Sequence, residues 1–184
     1  MAFLRRGLRE TICPRAPHPG EKEVPAPVDT DRIANYEHLR SLAGYAEVLD
    51  VARRYDDDRG RRVCDIYGTV TGDVNITYAY PGVIAAWHAH ERQYDEWFVI
   101  KGALKVGLAR PKQGGGYEGR FISLSEHDVK VLRIPPGVLH GWRNHSGEVA
   151  ILMYHISNKY DVKDPDELRY SIDEVGLDWA TRPR

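Results

Sequence analysis

Between residues 63 and 156 the sequence is a succession of short runs rich in β-branched and aromatic residues, with turn residues between them. The runs are Val63 to Thr69, Val74 to Tyr80, Trp97 to Ile100, Leu104 to Ala109, Phe121 to Leu124, Val129 to Ile134 and Val149 to Ile156. The intervening turns carry Gly, Pro and Asp, as at Pro135-Pro136-Gly137. Short strands at this even spacing predict an all-β sandwich or barrel.

The pattern inside the runs indicates which side of each strand is buried. Leu104, Val106 and Leu108 occupy alternate positions, so in a strand they lie on one face, toward a core or a cavity. The run Gly114 to Gly116 lies between two such strands. It lacks the Lys-Ser/Thr pair of a phosphate-binding loop and therefore predicts a hairpin tip.

The residues on either side of the β-rich stretch have a different character. Residues 1–45 are predicted to form an arm rich in Pro and charge, followed by a short helix. Apolar residues at a spacing near three between Thr30 and about Leu49 predict that this helix is amphipathic and ends around Gly44. The barrel is expected over residues 46–160, and residues 161–184 are expected to be a tail of turns, with one helical turn, packing on the barrel.

Charge and hydropathy exclude several classes of partner. The chain has 184 residues, which suit one domain, with 26 Lys and Arg against 27 Asp and Glu. No overall field therefore favours nucleic acid or an anionic membrane, and no run approaches the roughly 20 apolar residues of a membrane span. Cys13 and Cys64 are too few for a disulfide framework and are predicted to be unpaired thiols. These features predict a soluble, cytoplasmic protein.

Three histidines are placed where neighbouring strands could bring them together. His88 and His90 are separated by one residue, so in an extended strand their imidazoles project to the same side. His140 follows the Pro-Pro-Gly turn some fifty residues later. If a second hairpin brings His140 alongside, the three imidazoles form one site.

A carboxylate close to the first two histidines would complete a metal site. The predicted ligands are His88, His90, Asp95 or Glu96, and His140. This set suits one divalent ion such as Zn, Fe, Ni or Mn, with open positions left for a substrate. Strand parity leaves the choice of carboxylate open, because Asp95 shares a face with Trp97 and Glu96 with Phe98.

The same residues carry a resemblance to the cupins. The stretch from Gly82 to Gly102 resembles the first cupin motif: glycine, five residues, His-x-His, four residues, an acid, six residues and glycine. Asp95 stands at the acid position, where the family usually has Glu. The stretch Pro135 to Asn144 is similar to the second motif. The resemblance implies a cupin double-stranded β-helix, a jelly-roll barrel with a ligand site inside.

A closer resemblance, from about residue 47 to 179, is to the dTDP-4-dehydrorhamnose 3,5-epimerases. The stretches that carry it include YAYPGVIAAWHAH, IPPGVLHGW and YDVKDPDELR. It implies a homodimer and a nucleotide-linked 4-keto-6-deoxy sugar as substrate. It also implies that His88 removes a proton next to the ketone, that Tyr154 delivers one to the other face, and that Asp173 orients His88. Asp95 stands where that family has the lysine that stabilises the enolate.

Three functions follow as hypotheses. The first is an epimerase or isomerase that uses His88 and Tyr154 and needs no cofactor. The second is a metal-dependent cupin enzyme, an oxygenase or isomerase, with the histidines and a carboxylate as ligands. The third is a non-catalytic cupin that binds a sugar or another metabolite. Because a ring nitrogen that coordinates a cation cannot also abstract a proton, His88 can serve only one of the two roles at a time.

Overall fold

The computed structural model describes residues 42–51 and 53–181, which form antiparallel strands and one short helix. The predicted N-terminal arm and most of the predicted helix lie outside the described residues. The strands are β1 (Glu47–Asp50), β2 (Arg53–Asp57), β3 (Gly60–Cys64), β4 (Asp73–Ala79), β5 (Ile84–Ala89), β6 (Asp95–Lys101), β7 (Ala103–Pro111), β8 (Tyr117–Ser125), β9 (Lys130–Ile134), β10 (Leu139–Arg143), β11 (Ala150–Ile156) and β12 (Leu168–Arg169). The helix is α1 (Ile172–Val175).

Two five-stranded antiparallel sheets lie face to face. The first has the order β1-β9-β6-β11-β4, and the second has the order β12-β5-β10-β7-β8. From β4 to β7 and from β9 to β11, successive strands of the chain alternate between the two sheets, which is how a jelly roll encloses its interior. The predicted hairpin at Gly114 to Gly116 joins β7 to β8.

The core lies between the two sheets. Leu104, Val106 and Leu108 of β7 are fully buried, as their alternation predicts. They pack against residues of the opposite sheet such as Leu132 and Leu152. Burying a side chain of this size contributes about 1.5–3 kcal/mol. The core therefore holds the two sheets together.

The N-terminal part of the described chain differs from the prediction. Glu47–Asp50 is strand β1, paired with β9, and not the end of a helix. The turn before it places Gly44 in the left-handed region at φ 83°, which suits glycine. The expected strand from residue 63 to 69 is wrong beyond Cys64, because Arg53–Asp57 and Gly60–Cys64 form a hairpin instead. Cross-strand pairs such as Arg61 with Asp56 stabilise this hairpin.

The cysteine prediction is also wrong. Cys64 is disulfide-bonded, and no cysteine among the described residues is free. Cys13 lies outside the described residues. No helix in the part of the chain that the structure describes has the length and hydropathy needed to cross a bilayer.

The tail packs back onto the second sheet. Strand β12 pairs with β5, and the single helical turn α1 is closed by a capping box between Ser171 and Glu174. Beyond it, the backbone carbonyl of Trp179 accepts hydrogen bonds from Lys105 and Arg143. The tail therefore covers the outer face of the sheet that carries the candidate histidines.

Candidate metal centre

The structure brings His88, His90, Asp95 and His140 together at one point. One ligand atom from each lies within 4.8 Å of those of the others. His88 on β5 pairs directly with His140 on β10, and His90 follows the end of β5. Asp95 is the first residue of β6, in the opposite sheet. The site is therefore built where the two sheets face each other, at the open end of the interior.

His90 and His140 are held in defined tautomers. The Nδ1 atom of His90 contacts the backbone carbonyl of Asp166, and Nδ1 of His140 lies 2.8 Å from the carbonyl of Val138. A carbonyl only accepts hydrogen bonds, so each Nδ1 carries the hydrogen and each Nε2 carries a lone pair. Ligand histidines of metal sites are usually oriented in this way.

The two Nε2 atoms have no hydrogen-bond partner, although both are buried. They lie 3.4 Å (His90) and 3.5 Å (His140) from the carboxylate oxygens of Asp95. Lone pairs that face a carboxylate repel it unless a proton or a cation lies between them. The donor set of two imidazoles and one carboxylate therefore fits a borderline divalent cation.

The carboxylate of Asp95 is itself held by other side chains. Trp97 Nε1 donates to one oxygen at 3.1 Å, and Gln93 Nε2 donates to the other at 3.4 Å. Burial raises the pKa of Asp95, but the adjacent imidazoles of His140 and His90 outweigh it and hold the pKa below its ordinary value. Burial lowers the pKa of His90, and the interaction with Asp95 reverses this shift, so the net pKa is raised.

His88 differs from the other two histidines. Its ring lies 4.1 Å from the His140 ring, centroid to centroid, yet neither of its nitrogens hydrogen-bonds to a described residue. Burial and the neighbouring imidazoles of His140 and His90 lower the pKa of His88 to about 2. His88 therefore lines the cavity as a neutral imidazole whose orientation no hydrogen bond fixes.

A cavity of about 590 Å³ opens above this cluster. Tyr154 of β11 lines it, half-buried, and its hydroxyl interacts with Thr77 of β4. Burial raises the pKa of Tyr154 above its ordinary value, and the charges of Asp95 and Glu167 raise it further. The phenol therefore keeps its proton at neutral pH and faces the same space as His88.

Two predicted site residues lie elsewhere. Glu96 points to the opposite face of β6, where it pairs with Arg133 at 2.6 Å and with His155 at 2.8 Å. It is therefore not a ligand, and Asp95 alone supplies the carboxylate. Asp173 is exposed in the first turn of α1 and does not line the cavity, so it cannot orient His88.

The residue of the tail that does reach the site is Asp166. Its backbone carbonyl accepts from His90, and its carboxylate accepts from the backbone N–H groups of residues 91 to 93. Contacts of this kind between a carboxylate and distant backbone N–H groups leave no periodic signal in a sequence. The sequence-based reasoning therefore placed the tail's contribution seven residues too late.

Comparisons with known proteins identify the family of the chain. A profile of the polysaccharide biosynthesis C-terminal domain family matches residues 55–168. The probable low-salt glycan biosynthesis epimerase of Haloferax volcanii is 36% identical over 105 residues, 54% of this chain and 67% of that protein. The spore coat polysaccharide biosynthesis protein SpsL of Bacillus subtilis is 32% identical over 117 residues, 61% of this chain and 78% of that protein.

The fold is similar to that of a dTDP sugar isomerase from Desulfovibrio desulfuricans. The TM-score is 0.62 at 18% identity, covering 75% of this chain and 92% of that chain. This likeness confirms the predicted jelly-roll fold, and the curated relatives confirm the predicted relationship to sugar epimerases. The chain therefore belongs to the polysaccharide biosynthesis C-terminal domain family and is an epimerase-like cupin enzyme.

Proposed function

We propose that the protein is a metal-dependent epimerase that moves a proton next to the ketone of a nucleotide-linked 4-keto-6-deoxy sugar. The observation that carries this proposal is the pair of buried, unpartnered Nε2 atoms of His90 and His140, both facing Asp95 at the base of an open cavity. Both Nδ1 atoms already donate to carbonyls. Protonating both Nε2 atoms would therefore create two buried imidazolium ions.

In this proposal His90, Asp95 and His140 hold the cation. These are the three residues whose ligand atoms are oriented by other groups, and a catalytic site commonly has three protein ligands and an open position. A bound divalent ion would polarise the ketone oxygen of the substrate, the role that a lysine has in the epimerases this chain resembles. This explains why an acidic residue, Asp95, stands at the position of that lysine: the cation polarises the ketone, and Asp95 holds the cation.

His88 is assigned the role of the base. It is neutral, its ring nitrogens are free of hydrogen bonds to described residues, and it faces the cavity beside the ligands. The low pKa keeps the imidazole in its basic form at neutral pH but also makes it a weak base. Abstraction of the proton by His88 therefore depends on a carbonyl that is strongly polarised. This division of roles separates His88 from the ligand set.

Tyr154 is assigned the role of the acid. It lies on β11 in the first sheet, whereas His88 lies on β5 in the second, so the two groups approach the cavity from different sheets. A sugar bound between them would present opposite faces to the imidazole and to the phenol. Epimerisation requires this arrangement, because the proton must return on the face opposite to the one it left.

The nucleotide is expected at the mouth of the cavity. Arg92 and Arg169 line the mouth, but each forms an ion pair with a tail carboxylate. Lys159 also lines it and, among the described residues, forms no ion pair. An unpaired ammonium group suits a diphosphate. By contrast, Lys105, Arg110 and Arg143 make other contacts and do not line the cavity.

Solvent exchange combined with metal analysis tests the proposal. Protein purified without a nickel column should contain close to one divalent ion per chain and should incorporate deuterium from D₂O next to the ketone of a dTDP- or UDP-linked 4-keto-6-deoxyhexose. Both the metal and the exchange should be lost in His140→Gln. His88→Gln should keep the metal and lose the exchange.

Other results would favour other functions. Metal-free protein that still exchanges deuterium would support the cofactor-free epimerase. A protein that binds metal and consumes O₂ without exchanging deuterium would support a cupin oxygenase. Loss of the metal in His88→Gln would make His88 a ligand and would leave the base unassigned. The homodimer and the cytoplasmic location stay predictions, and light scattering coupled to size exclusion would test the first.

A further inference from the structure

The tail segment 164–170, here called the strap, crosses the mouth of the cavity beside the metal centre. Glu167 and Arg169 of the strap line the cavity, and Leu168 and Arg169 form β12 against β5. The two strap aspartates differ sharply in exposure. The side chain of Asp164 is 67% exposed, whereas that of Asp166 is 8% exposed. Asp166 therefore points into the protein and Asp164 into solvent.

The buried carboxylate of Asp166 holds the loop that joins the two ligand-bearing strands. Its oxygens accept hydrogen bonds from the backbone N–H groups of Glu91 at 2.8 Å, Arg92 at 2.9 Å and Gln93 at 2.9 Å. These residues lie directly between His90 and Asp95, which are predicted to share one cation. A carboxylate that accepts three N–H groups fixes a loop strongly, because each bond is assisted by the charge.

The backbone of the same residue acts on the ligand itself. The carbonyl of Asp166 accepts the Nδ1 hydrogen of His90, which leaves Nε2 as the free donor atom. Gln93, whose backbone N–H is held by the Asp166 carboxylate, also donates through its side chain to Asp95. One strap residue is thus connected to two of the three assigned ligands, at different atoms and by different routes.

We infer that Asp166 is a positioning residue for the metal centre, setting the tautomer of His90 and the spacing between His90 and Asp95. This inference rests on the proposed metal-dependent function. Residues that orient ligands in this way typically change metal affinity by about 10–100-fold when they are removed. Asp166 does not belong to the cluster of ligand atoms, so it acts on the metal centre through His90 and the loop.

The inference has a reciprocal consequence for the strap. If the strap improves metal binding, metal binding must stabilise the docked strap by the same factor. The strap also carries four residues of the cavity wall, Asp164, Asp166, Glu167 and Arg169. Binding of the metal would therefore complete the wall of the substrate cavity as well as the reactive centre.

Three variants of the full chain test the inference. Asp166→Ala removes all three loop contacts, Asp166→Asn keeps one acceptor oxygen without the charge, and Asp164→Asn is the matched control on the same strap. We expect Zn²⁺ affinity, measured by competition with a chromophoric chelator, to fall about 10–100-fold in Asp166→Ala. It should fall less in Asp166→Asn and by no more than about twofold in Asp164→Asn.

Two further readouts separate positioning from a structural role. The visible absorption of the Co²⁺-loaded protein should change in Asp166→Ala and keep the wild-type shape in Asp164→Asn, because only the former releases the loop that sets the spacing between His90 and Asp95. Metal should also slow cleavage of the wild-type strap by trypsin at Arg169, and this protection should be lost in Asp166→Ala.

The possible failures are distinguishable. Wild-type protein that binds no Zn²⁺ or Co²⁺ would overturn the proposed function together with this inference. Wild-type protein that binds both, with Asp166→Ala showing the same affinity and the same Co²⁺ spectrum, would overturn the inference alone. In that case a lower resistance of the metal-free variant to urea would identify Asp166 as a residue that only stabilises the loop.

Discussion

Two neighbouring strands of the first sheet each carry a pair of adjacent polar residues that point to opposite faces. On β6 the pair is Asp95 and Glu96, and on β11 it is Tyr154 and His155. Asp95 and Tyr154 face the cavity, whereas Glu96 and His155 are buried on the outer face of the sheet. The same sheet thus has a reactive polar cluster on one side and a closed one on the other.

The two clusters differ in where their positive charge comes from. On the outer side Arg133 donates to Glu96 at 2.6 and 2.9 Å, and His155 contacts the other carboxylate oxygen at 2.8 Å. The chain itself therefore supplies a permanent cation. On the inner side Asp95 faces the imidazoles of His90 and His140 and, in the described part of the chain, no Arg or Lys. A buried carboxylate with its own guanidinium is complete, whereas the proposed cation would complete the inner cluster.

The largest effect is expected from removing the charge on the inner side. Asp95→Asn keeps the size of the side chain and one of its two acceptor oxygens but replaces an anionic ligand with an amide. We expect metal content to fall below about one tenth of the wild-type value and turnover to fall at least about 10³-fold, since the base would face an unpolarised ketone. Elemental analysis and a deuterium exchange assay measure the two quantities.

The adjacent residue provides the control. Glu96→Gln makes the same chemical change one position along β6, on the outer face, and should leave the metal content unchanged. If Glu96→Gln loses the metal as completely as Asp95→Asn, the separation of the two faces is wrong. Unchanged metal content in Asp95→Asn would remove Asp95 from the ligand set.

The next effect concerns proton delivery. Tyr154→Phe removes the phenol and keeps the packing of the ring, so the metal content should not change. Turnover to the epimerised product should fall about 10²-fold or more, because the face opposite His88 loses its acid. Exchange of deuterium through His88 should fall much less, because the imidazole can return the proton to the face from which it came.

A ratio of product to exchange that stays constant in Tyr154→Phe would contradict this assignment. It would mean that the proton returns to the sugar from another group. His155→Phe, the matched change on the outer face of β11, should lower stability without altering that ratio.

The difference between the faces also explains what could be predicted from the sequence. Alternation in runs such as Leu104 to Leu108 identified the strands, because the inner face of each sheet is apolar and much of the outer face is polar. It could not choose between Asp95 and Glu96, because β6 is central and buried on both faces. The outer face of β6 is covered by a cluster that includes Tyr67 and Val63, a contact that no local pattern reveals.

The site residues were predictable to a similar degree, for a related reason. The spacing of His88, His90 and His140 identified the centre, since strand geometry alone determines which side chains share a face. The resemblance implied Asp173 for the tail's contribution. The tail is irregular, and the residue that reaches the site, Asp166, lies seven positions earlier. Asp166 reaches the site through its backbone carbonyl, which any residue type could supply.

The third effect is on stability and belongs to the outer side. Glu96→Gln removes the buried carboxylate that Arg133 and His155 contact, and leaves Arg133 only the carboxylate of Glu47 at 3.8 Å. Breaking a buried ion pair from one side typically costs about 3–5 kcal/mol, and the amide recovers part of that through hydrogen bonds, so we expect about 3 kcal/mol. Urea unfolding of the metal-free protein measures it. A loss below about 1 kcal/mol would show that the outer cluster contributes little.

The smallest effect, taken per pH unit, is the pH dependence of stability on the inner side. The pKa of His88 is lowered from 6.5 to about 2, so below pH 6.5 the unfolded chain binds a proton that the folded protein does not. The free energy of unfolding of the metal-free protein should therefore decrease as the pH is lowered, by up to about 1.4 kcal/mol per pH unit. His90, whose pKa is raised, is charged in both states there, and the lowered pKa of Asp95 acts only below 3.8.

Urea unfolding between pH 6.5 and 3.8 measures this contribution, because over that interval His88 binds a proton in the unfolded chain and not in the folded protein. The slope of the unfolding free energy against pH should be smaller in His88→Gln than in the wild type. Equal slopes would mean that the folded protein protonates His88 in this range. An imidazole that accepts a proton so readily would be a stronger base than its burial among the other histidines allows.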